Sequence, residues 1–184
     1  MKRRVVGIFG TGLIGGSIGM RARRDGALVV GHDVSPGMLA QALEVGAIDL
    51  AATRDELYAR AGTVVIAAPP EATMAEVQRL RSGAAPRATL IVDVASVKAP
   101  VVEAANGMKA FVATHPIAGS ERSGVRAARA DLFERRTWAY VPTGDTRLDA
   151  RARAFITSLG AAAFAVDAHE HDRIVALTSH LVQV

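Results

Sequence analysis

Apolar residues in this chain gather into short β-branched runs, "RVVGIFG", "ALVVGHD", "TVVIAAP" and "TLIVDVA". Each run gives way to a segment with helical spacing. Runs that are continuously apolar suit strands buried on both faces, and parallel strands need a helical crossover between them. The pattern therefore predicts an α/β fold with a doubly wound, mostly parallel sheet and helices on both faces. Local signals mark where helices begin: Ser35 followed by Pro36, Thr53 with Glu56 three residues on, and Asp167 with Glu170 three residues on. Further along, "AFVAT" reads as another buried strand. It is followed by a strand in "TWAYVPT", a helix from about Arg147 to Leu159, a strand in "AAAFAVD" and a last helix. No internal repeat or low-complexity linker interrupts the series.

Composition narrows the picture. With 184 residues, half of them apolar, there is material for one sizeable core and too little for two full domains. The net charge of +4 comes mostly from arginines scattered along helices, such as Arg21, Arg23 and Arg24. That distribution suits solvated helix faces rather than a nucleic-acid-binding stripe. The absence of cysteine excludes disulfides and thiolate metal sites, and no metal ion is called for elsewhere. The first apolar stretch, ending at Gly10, is too brief for a signal peptide or a membrane span. A cytoplasmic protein with no membrane or nucleic-acid partner is the expectation.

The first candidate chemistry lies at Gly10-Thr11-Gly12-Leu13-Ile14-Gly15, between the strand "VVGIF" and the helix that follows. In such a loop the first glycine allows a tight turn, the second lets backbone approach a pyrophosphate, and the third lets helix pack on strand. The helix amino end then offers free N–H groups to the phosphates. Asp33 closes the second strand 18 residues after Gly15, where a carboxylate accepts hydrogen bonds from ribose hydroxyls and repels a 2′-phosphate. This predicts a Rossmann-type domain that binds NAD, with NADP the less favoured cofactor and Arg54 a residue that could serve a phosphate. His32, beside Asp33, reads as a surface residue. Ala68 and Pro69, in "AAPPEATMAEV", either let the nicotinamide lie against backbone or simply turn the chain into a helix starting at Pro70.

Ser96, in "VDVASVKAP", follows a strand at the edge where such sheets bind ligands, and reads either as a substrate contact or as a helix cap. Lys98 could neutralise a substrate carboxylate, but a solvated helix face is the better reading. His115 follows "AFVAT" and so emerges at the same edge. An imidazole titrates near neutrality, and close to a nicotinamide it can take a proton or a strong hydrogen bond from a substrate hydroxyl as hydride leaves the same carbon.

Taken together, "GTGLIGGSIG", "GHD", "VDVASVK", "HPIAGSERSG" and "HDRIVALTSHL" occur in the order seen in prephenate and arogenate dehydrogenases. The chain resembles that family over essentially its whole length, and the segment starting at His115 is far more specific than the glycine loop. The resemblance implies NAD-dependent oxidative decarboxylation, of prephenate to 4-hydroxyphenylpyruvate or of arogenate to tyrosine. It implies that His115 hydrogen-bonds the substrate hydroxyl and assists its deprotonation, and that Ser96 helps hold that hydroxyl and the histidine. Ser120 and Glu121 match a segment at the pocket mouth, and His180 matches the first histidine of a Ser-His-Leu-Pro-His motif.

Here that motif reads Ser179-His180-Leu181-Val182-Gln183. Gln183 can exchange hydrogen bonds but carries no charge, so the choice between a keto acid and an amino acid side chain on the substrate stays open. The resemblance further implies that residues 1–166 form the cofactor-binding domain. Residues 167–184 would then begin a linker helix toward a helical domain that makes a homodimer and supplies an arginine for the ring carboxylate. The apolar positions Ile174, Val175, Leu177, Leu181 and Val182 on the last helix suit such a cover. Two other classes stay open: a dehydrogenase or reductase of another small hydroxy acid or imine, and a non-catalytic dinucleotide-binding module.

Overall fold

A computed structural model describes residues 3–83, 88–118 and 122–181, with backbone alone for 179–181. Six parallel strands form the main sheet: β1 (Val5–Phe9), β2 (Leu28–His32), β3 (Leu50–Ala51), β4 (Thr63–Ile66), β5 (Leu90–Asp93) and β6 (Phe111–Val112). Their order is β3-β2-β1-β4-β5-β6. The direction of winding reverses between β1 and β4, which opens a crevice at the carboxyl ends of these strands.

Alternation along β1 and β4 sends side chains into two separate cores. Val6, Ile8 and Val65 face one side, with Ile18 and Ala22 of α1 (Leu13–Arg24), Ala42 of α2 (Pro36–Glu44), and Phe155 and Ile156 of α6 (Thr146–Ser158). Phe9, Val64 and Ile66 face the other. There they meet Leu57 of α3 (Arg54–Arg60), Val77 of α4 (Pro70–Ser82) and Val101 of α5 (Ala99–Ala104). Burial on both faces is the reason the strands read as unbroken apolar runs. The expected helix starts are present. Ser35 accepts from Met38 N, with Pro36 in the first turn, and Thr53 and Glu56 form a reciprocal capping box. Asp167 accepts from the amides of His169 and Glu170 at the start of α7 (Ala168–Leu181).

The expectation of one strand running through "AFVAT" is corrected. The chain leaves the main sheet after Val112, and Thr114–Pro116 forms β7 of a second sheet. In that sheet β7 pairs antiparallel with β8 (Thr137–Tyr140), and β8 pairs in parallel with β9 (Ala162–Ala165). Ala113 is the hinge between the two sheets, and its carbonyl accepts from Val141 N at 2.9 Å. His115 therefore sits within a strand, opposite Ala139, rather than in a loop beyond one.

The seam between the sheets is polar. Asp93, at the end of β5, and Lys98 are both fully buried and form an ion pair. Lys98 Nζ also donates to Thr114 O at 2.6 Å, Asp93 Oδ1 accepts from Thr114 N at 2.9 Å, and Trp138 Nε1 donates to Thr114 Oγ1 at 2.9 Å. The reading of Lys98 as a solvated helix face is thus overturned, because a lysine next to a buried carboxylate goes where its charge is matched. Burial pushes Asp93 up and Lys98 down in pKa, and their contact opposes both shifts. Lys98→Met, which strands Asp93, is expected to cost about 3–5 kcal/mol of stability. Adding Asp93→Asn should recover part of that loss, as read by urea denaturation of both variants.

Candidate active site

The glycine loop leaves β1 with Gly10 at φ +94°, a conformation in which a side chain would be strained. A Cβ on Gly15 would lie 2.0 Å from Gly10 O, so helix α1 packs directly on the turn. A Cβ on Gly12 would meet nothing within 4 Å, and no side chain caps α1. Open space over an uncapped helix start is what a phosphate group requires. Leu13 and Ile14 open α1 and pack against the core, so they offer a ligand backbone rather than side chain.

A cavity of about 470 Å³ lies beside this loop. Gly10, Gly12, Asp33, Ala68 and Pro69 all line it, so most of the expected cofactor residues come together. Asp33 does more than the sequence suggested. Its Oδ2 accepts from Thr11 N at 2.7 Å and Thr11 Oγ1 at 3.0 Å, while Oδ1 accepts from Ser35 N at 2.9 Å. The carboxylate clamps the glycine loop to the turn after β2 and keeps acceptor capacity on Oδ1. His32 lines the same cavity, with its ring 5.2 Å from that of Phe9, and is not the free surface residue expected. Arg54 and Arg79 also line it and both pair with the buried Glu76, at 3.6 and 2.8 Å. Glu76 was not foreseen, since one glutamate in a charged helix has no distinguishing sequence signal.

Ser96 and His115 do not line that cavity. Ser96 lies exposed on the bend after β5, and it is not a helix cap. The cap of α5 comes from α7, where Asp172 accepts from Lys98 N at 2.7 Å and Ala99 N at 2.9 Å. Asp172 also receives the buried His171, with Nδ1 2.8 Å from Asp172 Oδ1. The other nitrogen of His171, Nε2, lies 3.0 Å from Nδ1 of the half-buried His115, with the two rings edge to face at 73°. His171 and Asp172 fall within the motif "HDRIVALTSHL", but nothing in the sequence pattern marks these two as site residues. His180 is in the last turn of α7, and Ser120, Glu121 and Gln183 lie outside the described residues. Among the described residues no cluster suits a metal ion, and no helix is long and apolar enough to cross a membrane.

The strand order, the glycine turn and the acidic residue closing β2 define a Rossmann-type nucleotide-binding domain. Residues 18–163 match the family described as prephenate dehydrogenase, nucleotide-binding domain, and the chain belongs to that family. It is 35% identical over 187 residues to a probable prephenate dehydrogenase of Streptomyces niveus, covering 98% of this chain and 50% of that one. Identity to the prephenate dehydrogenase of Bacillus subtilis is 33% over 188 residues, with coverages of 96% and 50%. The crystal structure of Synechocystis arogenate dehydrogenase is similar at a TM-score of 0.84 and 28% identity, covering 96% of this chain and 64% of that one. The chain spans about half the length of the curated relatives it matches.

The surroundings of His115 set a pH dependence. Burial, then the neighbouring His171 and Lys98, lower its pKa to about 4, against the opposing pull of Asp172. Because its folded pKa lies below its unfolded value, the unfolded chain binds more protons between the two. Stability should therefore fall as pH drops from about 6.5 toward about 4 and level off below, as far as this group is concerned. For Asp172, burial alone would raise the pKa, but the amides of Ala99 and Lys98 and the His171 ring hold it low, so its contribution is lost at more acid pH. In His115→Asn the loss of stability between these two pH values should be smaller than in the wild type, as measured by denaturation at a series of pH values.

Proposed function

We propose that this chain is the cofactor-binding and catalytic half of an NAD-dependent prephenate or arogenate dehydrogenase. The observation that carries this reading is the family match over residues 18–163, and similarity to relatives named for that activity supports it. The site fits it. The backbone of Gly10, Gly12, Leu13, Ile14 and Gly15 would hold the pyrophosphate, Asp33 the adenosine ribose, and Ala68 and Pro69 the approach to the nicotinamide. NAD, when bound, supplies the hydride acceptor.

His115 is neutral at pH 7, so a ring nitrogen is available to accept the proton of the substrate hydroxyl while hydride leaves the same carbon. Loss of the ring carboxylate as carbon dioxide sends its bonding pair into the ring, which becomes aromatic, and the proton returns to the phenolate oxygen. The products are 4-hydroxyphenylpyruvate from prephenate and tyrosine from arogenate. A substrate carrying carboxylates favours the protonated imidazole and draws the pKa of His115 back toward neutrality in the complex. Ser96 would help hold that hydroxyl and the histidine, with Ser120, Glu121, His180 and Gln183 as further substrate contacts. The rest of our reading is a cytoplasmic enzyme of which residues 1–166 form the cofactor domain. From 167 onward α7 leads into a helical domain that makes the homodimer and binds the ring carboxylate. Exposure of Ile174 and Leu177 on α7 supports a cover of that kind.

Two substitutions test the proposal. His115→Asn should preserve dinucleotide binding and lower turnover of prephenate or arogenate roughly a hundredfold or more. The acid limb of kcat/KM, expected near the free-enzyme value of about 4, should disappear. An Asn variant with wild-type turnover would remove His115 from the chemistry. Asp33→Ser should weaken NAD binding by about 1–3 kcal/mol and reduce discrimination against NADP, as measured by titrating both cofactors.

A further inference from the structure

The contacts of His115 set which of its two nitrogens is left free to accept a hydrogen bond. A carboxylate only accepts hydrogen bonds, so Asp172 requires the proton of neutral His171 to sit on Nδ1, 2.8 Å away. Nε2 of His171 is then a lone pair. It lies 3.0 Å from His115 Nδ1, which must be the donor in that contact. Neutral His115 is thereby left with a lone pair on Nε2. Had His171 carried its proton on Nε2, both assignments would reverse, and His115 would present an N–H where a proton acceptor is needed.

Asp172 is itself fixed from the other direction. Its two oxygens receive the amides of Lys98 and Ala99 at 2.7 and 2.9 Å, so neither can turn away from these donors. The backbone that leads into His115 is held by the same lysine, through Nζ to Thr114 O at 2.6 Å. Imidazole position and tautomer are therefore both referred to one rigid group of atoms. His171 is 3% exposed, so its ring is shielded from bulk water.

We propose that His171 and Asp172 are positioning residues that hold His115 protonated at Nδ1, so that its Nε2 is the acceptor for the substrate hydroxyl. This rests on the reading of His115 as the base. It extends that reading to two residues that do not line the cavity beside the glycine loop and act through the His115 ring.

Histidine-labelled protein tests the assignment without turnover. The ring ¹⁵N shifts of His115, assigned by comparison with His115→Asn, should show Nδ1 protonated and Nε2 bare at neutral pH. A spectrum with the proton on Nε2 overturns the proposal. His171→Leu removes the acceptor, and His171→Gln keeps an amide oxygen for His115 and an amide hydrogen for Asp172. The Leu variant should lose the single tautomer and lower kcat about a hundredfold with NAD and whichever of prephenate and arogenate the wild type turns over, with the dissociation constant for NAD unchanged. Gln should restore much of both. Wild-type kcat in the Leu variant, beside an inactive His115→Asn, would overturn the positioning role while leaving His115 as the base. Wild-type kcat in both variants would overturn the base assignment itself, and the proposal with it. If the Leu variant loses NAD binding as well, the Gln variant decides: a restored fold and NAD affinity with kcat still low and the tautomer still mixed counts against the proposal.

Discussion

A buried ammonium group needs hydrogen-bond acceptors and a full opposite charge, and Lys98 finds two acceptors, one of them a carboxylate, within one small volume. Its Nζ bonds the Asp93 side chain at the end of β5 and the Thr114 carbonyl in β7, while its own amide bonds Asp172 in α7. Three elements distant in sequence are thus fixed relative to one another by one residue. Such a pair adds little net stability, because desolvation offsets most of the attraction. What it supplies is position, since few other arrangements of these strands would leave both charges matched.

A similar division of labour holds at the other end of the crevice. Asp33 reads from the sequence as a ligand contact, yet in the fold it also closes the glycine turn through Thr11 and Ser35. The loop shape is therefore set by the protein's own carboxylate before any phosphate arrives. Preorganised amides around a fixed anion site lose less entropy on binding than a loop that must first be ordered.

The main sheet was legible because its cause is local and repeated. Strands buried on both faces must be apolar throughout, and helix starts such as Thr53 with Glu56 announce themselves within four residues. The second sheet was not legible, because nothing in "AFVAT" marks Ala113 as the point where the chain changes sheets. Lys98 was misread for a related reason: its partner Asp93 is near in sequence, but the burial of both depends on Thr114 and Trp138 arriving from elsewhere. His115 and the glycine loop stood out by motif. His171 and Asp172 lay inside a motif too, but their importance is a matter of two hydrogen bonds across the fold, and periodicity carries no information about those.

The cap of α5 belongs to a residue 74 positions further along the chain. A six-residue helix has too few internal bonds to persist in isolation. During synthesis from the amino end, the main parallel strands can therefore assemble while the segment from Lys98 to Ala104 still lacks acceptors for its first amides. The amides of Lys98 and Ala99 gain Asp172 as their acceptor only once α7 has docked, and the same event brings His171 against His115. The cap of α5 and the partner of the His115 ring thus arrive on one late segment of the chain, far along the sequence from the glycine turn.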